Sequence, residues 1–341
     1  MESPQSDRRS FLKTVGGAGA ALAVISSAKG DQTEDGPVEL QAIKGNLPVS
    51  RFSLSIDGKN VGYISSSSGG NAYAEVVTQK ISVDPVAKKS IANLKYEDIT
   101  LAFGTGMSKA LYEWISDTLN FKSPRHAGRI SAGTSSLKEQ FQIKFDQALI
   151  TEVGFPAMDA SSKDAARMTI KLAPESTRRT TSDGASQPPV NTKAVKSWIS
   201  SNFLLEIDGL DCSKVSKIDA FTVKLKVADT AVGDGRDVQA EPGQLEFPNL
   251  VVTLPESGAE TFFKWHEDFV IKGNNSENQE KGGTLYWLTT DRKFQIGSVQ
   301  FFNLGIFRLT PDPLGVGSDT VRRVKAEMYC EKMVYKFFAA E

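Results

Sequence analysis

The chain has 341 residues, 40% of them apolar and 24% charged, with a formal net charge of −1. That length suggests two domains, each long enough to bury its own core, and the composition is that of a globular rather than a disordered protein. The near-neutral balance excludes the basic footprint of a nucleic-acid binder, and no segment after residue 28 approaches the ~20 apolar residues needed to span a membrane.

The N-terminus comes first in chain order. SDRRSFLK (6–13) is followed by TVGGAGAALAVISSA (14–28), which reads as a basic start, a Gly/Ala-rich apolar core and a small-residue exit. Arg8, Arg9, Phe11, Leu12 and Lys13 resemble the twin-arginine export signal, with Asp7 where that pattern usually has Ser or Thr. This reading expects cleavage after Ala28 and a periplasmic or extracellular protein that crosses the membrane already folded. A non-cleaved amphipathic helix is the alternative. Because the same route often carries cofactor enzymes, the signal raises an oxidoreductase reading that the rest of the chain has to support. Residues 29–45 are polar and acidic and read as a flexible lead-in.

The next element is RFSLSIDG (51–58), where Phe52, Leu54 and Ile56 alternate with polar neighbours before an Asp57-Gly58 turn. SSSSGG (65–70) reads as a loop, AEVVTQKISV (74–83) as a strand and LKYEDITLAF (94–103) as a clean period-2 strand. MSKALYEWISDTL (107–119) predicts a short helix with Leu111, Trp114 and Ile115 on one face and Ser108 as its cap. FQIKFDQALITEVGF (141–155) and RMTIKLA (167–173) are further strands, and the Ser/Thr/Pro/Gly-rich stretch after them reads as a linker over 173–196.

The same order then repeats. At an offset of 151 residues, Phe203, Leu205 and Ile207 fall on Phe52, Leu54 and Ile56, and Asp208-Gly209 falls on Asp57-Gly58. Leu245 and Phe247 fall on Leu94 and Tyr96, and Trp265 falls on Trp114. The offset then slips by two, so that Phe294-Gln295-Ile296 meets Phe141-Gln142-Ile143. Two copies are expected, 46–172 and 197–341. Each is mainly β with one short helix, which predicts two tandem β-barrel or sandwich domains capped by their helices.

An opening strand ending in IDG, a period-2 strand leading into a Trp-bearing helix, and a long charged last strand (TVRRVKAEMYCEKMVYKFF, 320–338) together resemble the tail-tube protein family. These are the tube proteins of contractile phage tails and injection systems, similar in fold to type VI secretion tubes. NFLLEIDGLDCSKVSKIDAFTVK (202–224) is the closest stretch. The resemblance implies a structural role, in which domains form six-membered rings through strand pairing between neighbours and the rings stack into a tube. Its partners would be other copies of itself and other injection-system or tail components. Family members usually carry one such domain, and this chain has two, so three chains are expected to make a pseudo-six-membered ring. The export signal departs from phage tubes, which assemble in the cytoplasm.

Chemistry-bearing residues are sparse, and neither catalytic residues, cofactor nor metal is expected. His126 lies in a basic loop between Arg125 and Arg129. His266 is followed directly by Glu267 and Asp268, and consecutive helical residues diverge, so they form no compact metal site alone. TPDPLGVGSD (310–319) is turn-rich and its Asp312, Ser318 and Asp319 match no EF-hand spacing. Cys212 and Cys330 are the only cysteines. They are either two buried free thiols or, if the first and last strands of the second copy are neighbours, a disulfide worth ~2–4 kcal/mol. Without a nucleotide or redox motif, the enzyme reading weakens. An exported structural ring or tube protein is the primary expectation, and an exported enzyme or ligand-binding or adhesion module reusing the barrel is the alternative.

Overall fold

A computed structural model describes residues 49–79, 87–182, 184–187, 198–231, 238–313 and 321–338. The export-signal residues and the lead-in therefore lie outside the described residues. The first half runs β1 (Arg51–Ile56), β2 (Lys59–Ile64), β3 (Ser66–Gly69), β4 (Ala72–Gln79), β5 (Lys88–Tyr96), β6 (Ile99–Phe103), α1 (Lys109–Leu119), β7 (His126–Gly133), β8 (Glu139–Phe155), β9 (Met158–Asp159), β10 (Met168–Ala173) and β11 (Ser176–Thr181). The second half runs β12 (Phe203–Ile207), β13 (Lys217–Ile218), β14 (Phe221–Ala231), β15 (Val238–Glu246), β16 (Leu250–Pro255), α2 (Glu260–His266), β17 (Lys281–Leu288), β18 (Gln295–Pro311) and β19 (Arg323–Phe337). A π-helical turn, Glu267–Ile271, continues α2.

The alternating apolar residues do what their period requires. Leu54, Ile56, Leu205 and Ile207 are buried, while Phe52 and Phe203 pack partly buried against the core. Both tryptophans of the repeat, Trp114 and Trp265, point into that core from their helices. The turn after β1 has positive φ at Asp57 (49°) and Gly58 (75°), the pairing that a tight hairpin asks for.

Among the described residues the chain is mainly β with two α-helices, as expected, and of the barrel or sandwich arrangement the strands make sheets, not closed barrels. A seven-stranded sheet has the order β12-β17-β18-β19-β16-β13-β9. A ten-stranded sheet contains β2-β1-β7-β8-β10-β6-β3, with β11 and β14 also on β8 and β15 on β14; β4 and β5 form a separate two-stranded ribbon. The described residues make one compact unit, because strands of the first half pair with strands of the second.

Pairing registers recur in the two halves. Phe52, Leu54 and Ile56 lie opposite Ala132, Ile130 and Gly128 on β7; Phe203, Leu205 and Ile207 lie opposite Trp287, Leu285 and Gly283 on β17. Ser66 and Ser67 face Ala102 and Leu101, as Lys217 and Ile218 face Thr253 and Val252. Ile99 faces Leu172 as Leu250 faces Met328. Even the bulges coincide, after Ala74 in β4 and after Leu225 in β14.

Three sequence expectations need correction. SSSSGG is no loop, since Ser66–Gly69 form β3 against β6. The 173–196 segment is not all linker: its Thr/Arg-rich residues 176–181 form β11 on the free edge of β8, and a ladder of long-range hydrogen bonds outweighs a polar composition. The remainder, 188–196, lies outside the described residues. The late offset also differs. Gln147 and Asn303 carry the same positive-φ irregularity in β8 and β18, which sets that offset at 156 and puts Gly297, not Phe294, at the place of Phe141. Insertions in the loop after the helix shift it, as surface loops allow.

Candidate assembly interface

Where the two halves meet, the contact is a built interface rather than a tether. The C-terminal half of β8 accepts β14 as an antiparallel neighbour, with Phe155 opposite Phe221, Gly154 opposite Thr222, Val153 opposite Val223 and Glu152 opposite Lys224. The short β9 pairs β13 alongside it, Met158 with Ile218 and Asp159 with Lys217. Main-chain pairing of this kind removes an open edge and fixes register.

Aromatic side chains fill the seam. Phe155 and Phe221 stack with ring centroids 4.9 Å apart, and Trp287 and Tyr335 each lie within 5.8 Å of Phe155. Trp198 closes on Trp287 at 4.8 Å. Helix α1 lies across the last strand of the other half, with Tyr112 stacked on Phe337 at 3.5 Å and the Ser116 hydroxyl donating to the Tyr335 carbonyl at 3.3 Å. Burial drives the phenols of Tyr112 and Tyr335 above their usual pKa, so both stay neutral.

Polar groups complete it. Arg125 pairs with Glu175 at 2.5 Å and also donates to the Ala240 carbonyl on β15, so one first-half guanidinium ties both halves. Lys171 pairs with Glu152 at 2.8 Å, and its hydrogen bond to that carboxylate raises the ammonium above its ordinary pKa. Asp159 accepts from the Ser161 hydroxyl and amide, which lowers its carboxyl below the usual range, with Lys217 adding to the effect.

The same elements stand without those partners at the two ends of the chain. Strand β4 lies at the 151-residue offset from β14, and among the described residues its only partner is β5. That ribbon exposes Tyr73, Val76, Val77 and Ile91, the last at 74%, and Val227 of β14, at the place of Val76, is exposed as well. Strand β18 lies at the 156-residue offset from β8, with the same length of 17 residues. From Gly305 to Pro311 it pairs β19 on one side, and no described strand takes the other. Phe263, Val270, Ile271 and Phe307 are exposed in that half.

The other candidate residues do not converge. His126 starts β7, with Nδ1 2.6 Å from Asp57 Oδ2 and its ring edge-on to Trp114, instead of lying in a free loop. His266 ends α2, and Asp312 accepts from the Arg323 amide. Ser318 and Asp319 lie outside the described residues. Among the described residues, no group of three His, Cys, Asp or Glu could hold a metal. No described helix is long and apolar enough to cross a membrane. Cys212 and Cys330 are free thiols. The disulfide required first and last strands to be neighbours, and β17 and β18 intervene between β12 and β19. Burial pushes both thiols up to about 11.

Residues 48–178 match the family of the T4-like virus tail tube protein gp19. This segment belongs to the tail-tube family. The tail-tube segment covers β1 through β10 and half of β11. Several solved chains are similar at low identity. One is from the PVC sheath-tube complex of an extracellular contractile injection system in the extended state, with 21% identity and TM-score 0.37 over 41% of this chain and 95% of that one. Another is from the cap that terminates the anti-feeding prophage tube, with 20% identity and TM-score 0.36 over 42% and 97%. A third, Hcp1 from Flavobacterium johnsoniae, has 13% identity and TM-score 0.25 over 41% and 98%. No curated protein matches the chain.

The sequence pointed to the repeat but missed the seam. Arg125, Phe155, Phe221 and Tyr335 drew no notice, because each is ordinary in its own strand or loop. The available signal was the difference between the copies: Phe221 and Tyr335 stand where the first copy has Gly70 and Arg179.

Proposed function

We propose that this chain is a structural protein of a tail-tube-like ring or tube, with its second half acting as a second tail-tube copy. Three chains close a pseudo-six-membered ring, each supplying two positions. One observation carries the reading: β8 of the first copy takes β14 of the second, while the matching edge of β18 and the matching strand β4 stand open at opposite ends. Such a contact is head-to-tail, so repetition leads to a closed ring or an open filament. The family's six-position rings select closure. The recurring registers of β1–β7 and β12–β17 support equivalence of the halves. The neighbours named above belong to sheath, tube and cap assemblies, which supports injection-system partners for this chain too.

The same reading makes it an exported protein, carried by the twin-arginine route on Arg8 and Arg9 and cleaved after Ala28, acting in the periplasm or outside the cell without enzymatic activity. The assembly test is the mass of the purified mature chain with negative-stain imaging. Closed three-chain rings or stacked tubes are expected, and a strict monomer at high concentration would sink the reading. Export is tested separately. Replacing Arg8 and Arg9 with lysines should retain the precursor inside the cell, and unchanged export of that variant would remove the twin-arginine assignment.

A further inference from the structure

Resting on the ring just proposed, we infer that the helix contact between chains is charge-assisted where the matching helix contact within a chain is aromatic: Phe263 and Glu267 of one chain close on Arg179 of the next. The internal seam supplies the template. Tyr112 and Ser116 on α1 meet Tyr335 on β19, through ring contact at 6.5 Å and a hydroxyl-to-carbonyl hydrogen bond at 3.3 Å. The helix offset of 151 carries Tyr112 and Ser116 to Phe263 and Glu267. The strand offset of 156, fixed by Gln147 and Asn303, carries Tyr335 to Arg179.

Each of these residues is placed for that contact. Phe263 is 37% exposed, although Phe262 and Trp265 beside it are buried. The Glu267 side chain is 58% exposed, with a 3.2 Å pair to Lys272 at the surface. Arg179 is exposed on β11, with its guanidinium carbon 4.1 Å from the centroid of the Phe141 ring. A flat guanidinium between two rings, with a carboxylate at its edge, combines stacking with a charge-assisted hydrogen bond. At the internal seam that strand position is Tyr335, which carries no charge.

The same mapping gives the strand contact. Val153 opposite Val223 and Glu152 opposite Lys224 become Leu309 opposite Ala72 and Arg308 opposite Tyr73 of the next chain. Small Ala72 replaces Val223, so less apolar area is buried there and more of the holding falls to the charged contact. Screening lengths shrink from ~14 Å near 0.05 M salt to about 3 Å at 1 M, so rings should come apart between chains as salt rises while each chain stays folded.

The test uses the full mature chain and measures ring mass against protein concentration at low and high salt, with circular dichroism to verify folding. Glu267→Arg and Arg179→Glu should each raise the concentration needed for rings by about tenfold or more, and the double exchange should recover most of that loss. A second pair, Ala72→Cys with Leu309→Cys, should crosslink rings into covalent trimers on oxidation. Rings that form, resist salt and ignore both single reversals would overturn the charged seam while leaving the ring intact. A wild-type chain that never forms rings would remove both.

Discussion

Gly58 and Gly154 show how differently two glycines are used. Gly58 has φ of 75° with nothing near where a Cβ would sit, so only its backbone conformation needs glycine. Gly58→Ala should cost about 1 kcal/mol in a urea titration. Gly154 has no such φ, but a Cβ there would meet the Thr169 hydroxyl at 2.2 Å in the seam between β10 and β14. Gly154→Val should therefore cost more, about 1–3 kcal/mol, and loosen the halves. Equal costs would contradict the close-approach account. The thiols behave predictably too. With Cys212 and Cys330 held up to about 11 by burial, the folded protein should resist alkylation at pH 8 and react fast only when unfolded. Because the unfolded thiols ionise first, near pH 9, while the folded ones stay protonated to about 11, stability should fall as pH rises through that interval.

At the element scale, α1 and α2 carry their tryptophans at one offset but lie in two surroundings. Tyr112 is 3% exposed under Phe337, and Phe263 in the matching place is 37% exposed. Tyr112→Ala should cost about 3 kcal/mol or more of stability, whereas Phe263→Ala should change the folding of an isolated chain by less than about 1 kcal/mol. If the two losses were equal, the helices would not differ as described. Elements with a strong local period were legible in the sequence: β1, β6, β12, β16 and both Trp-bearing helices follow from their alternation or their buried stripe. Strands β3 and β11 were not. Their Ser/Thr-rich residues have no apolar face to read, and they are strands because β6 and β8 offer edges far away in sequence. The disulfide expectation failed for the same reason, since strand order is a property of the whole sheet.

At the scale of the molecule, the repeat was legible because Trp114 and Trp265 and the IDG strands keep one offset for some sixty residues. What the repeat does was not. Pairing across halves, β14 on β8 and β13 on β9, joins what two-domain reasoning separates, and the proposed ring reads the chain as two of its consecutive positions. The seam carries Arg125, Phe155 and Tyr335 in places where nothing in the local pattern marks them. The account's central claim is that β18 of one chain takes β4 of the next as β8 takes β14 within it. The most direct measurement is the native mass and image of the mature chain at low salt. Three chains in a closed ring with six similar lobes is the expected result, and a two-lobed monomer that persists as concentration rises would contradict it.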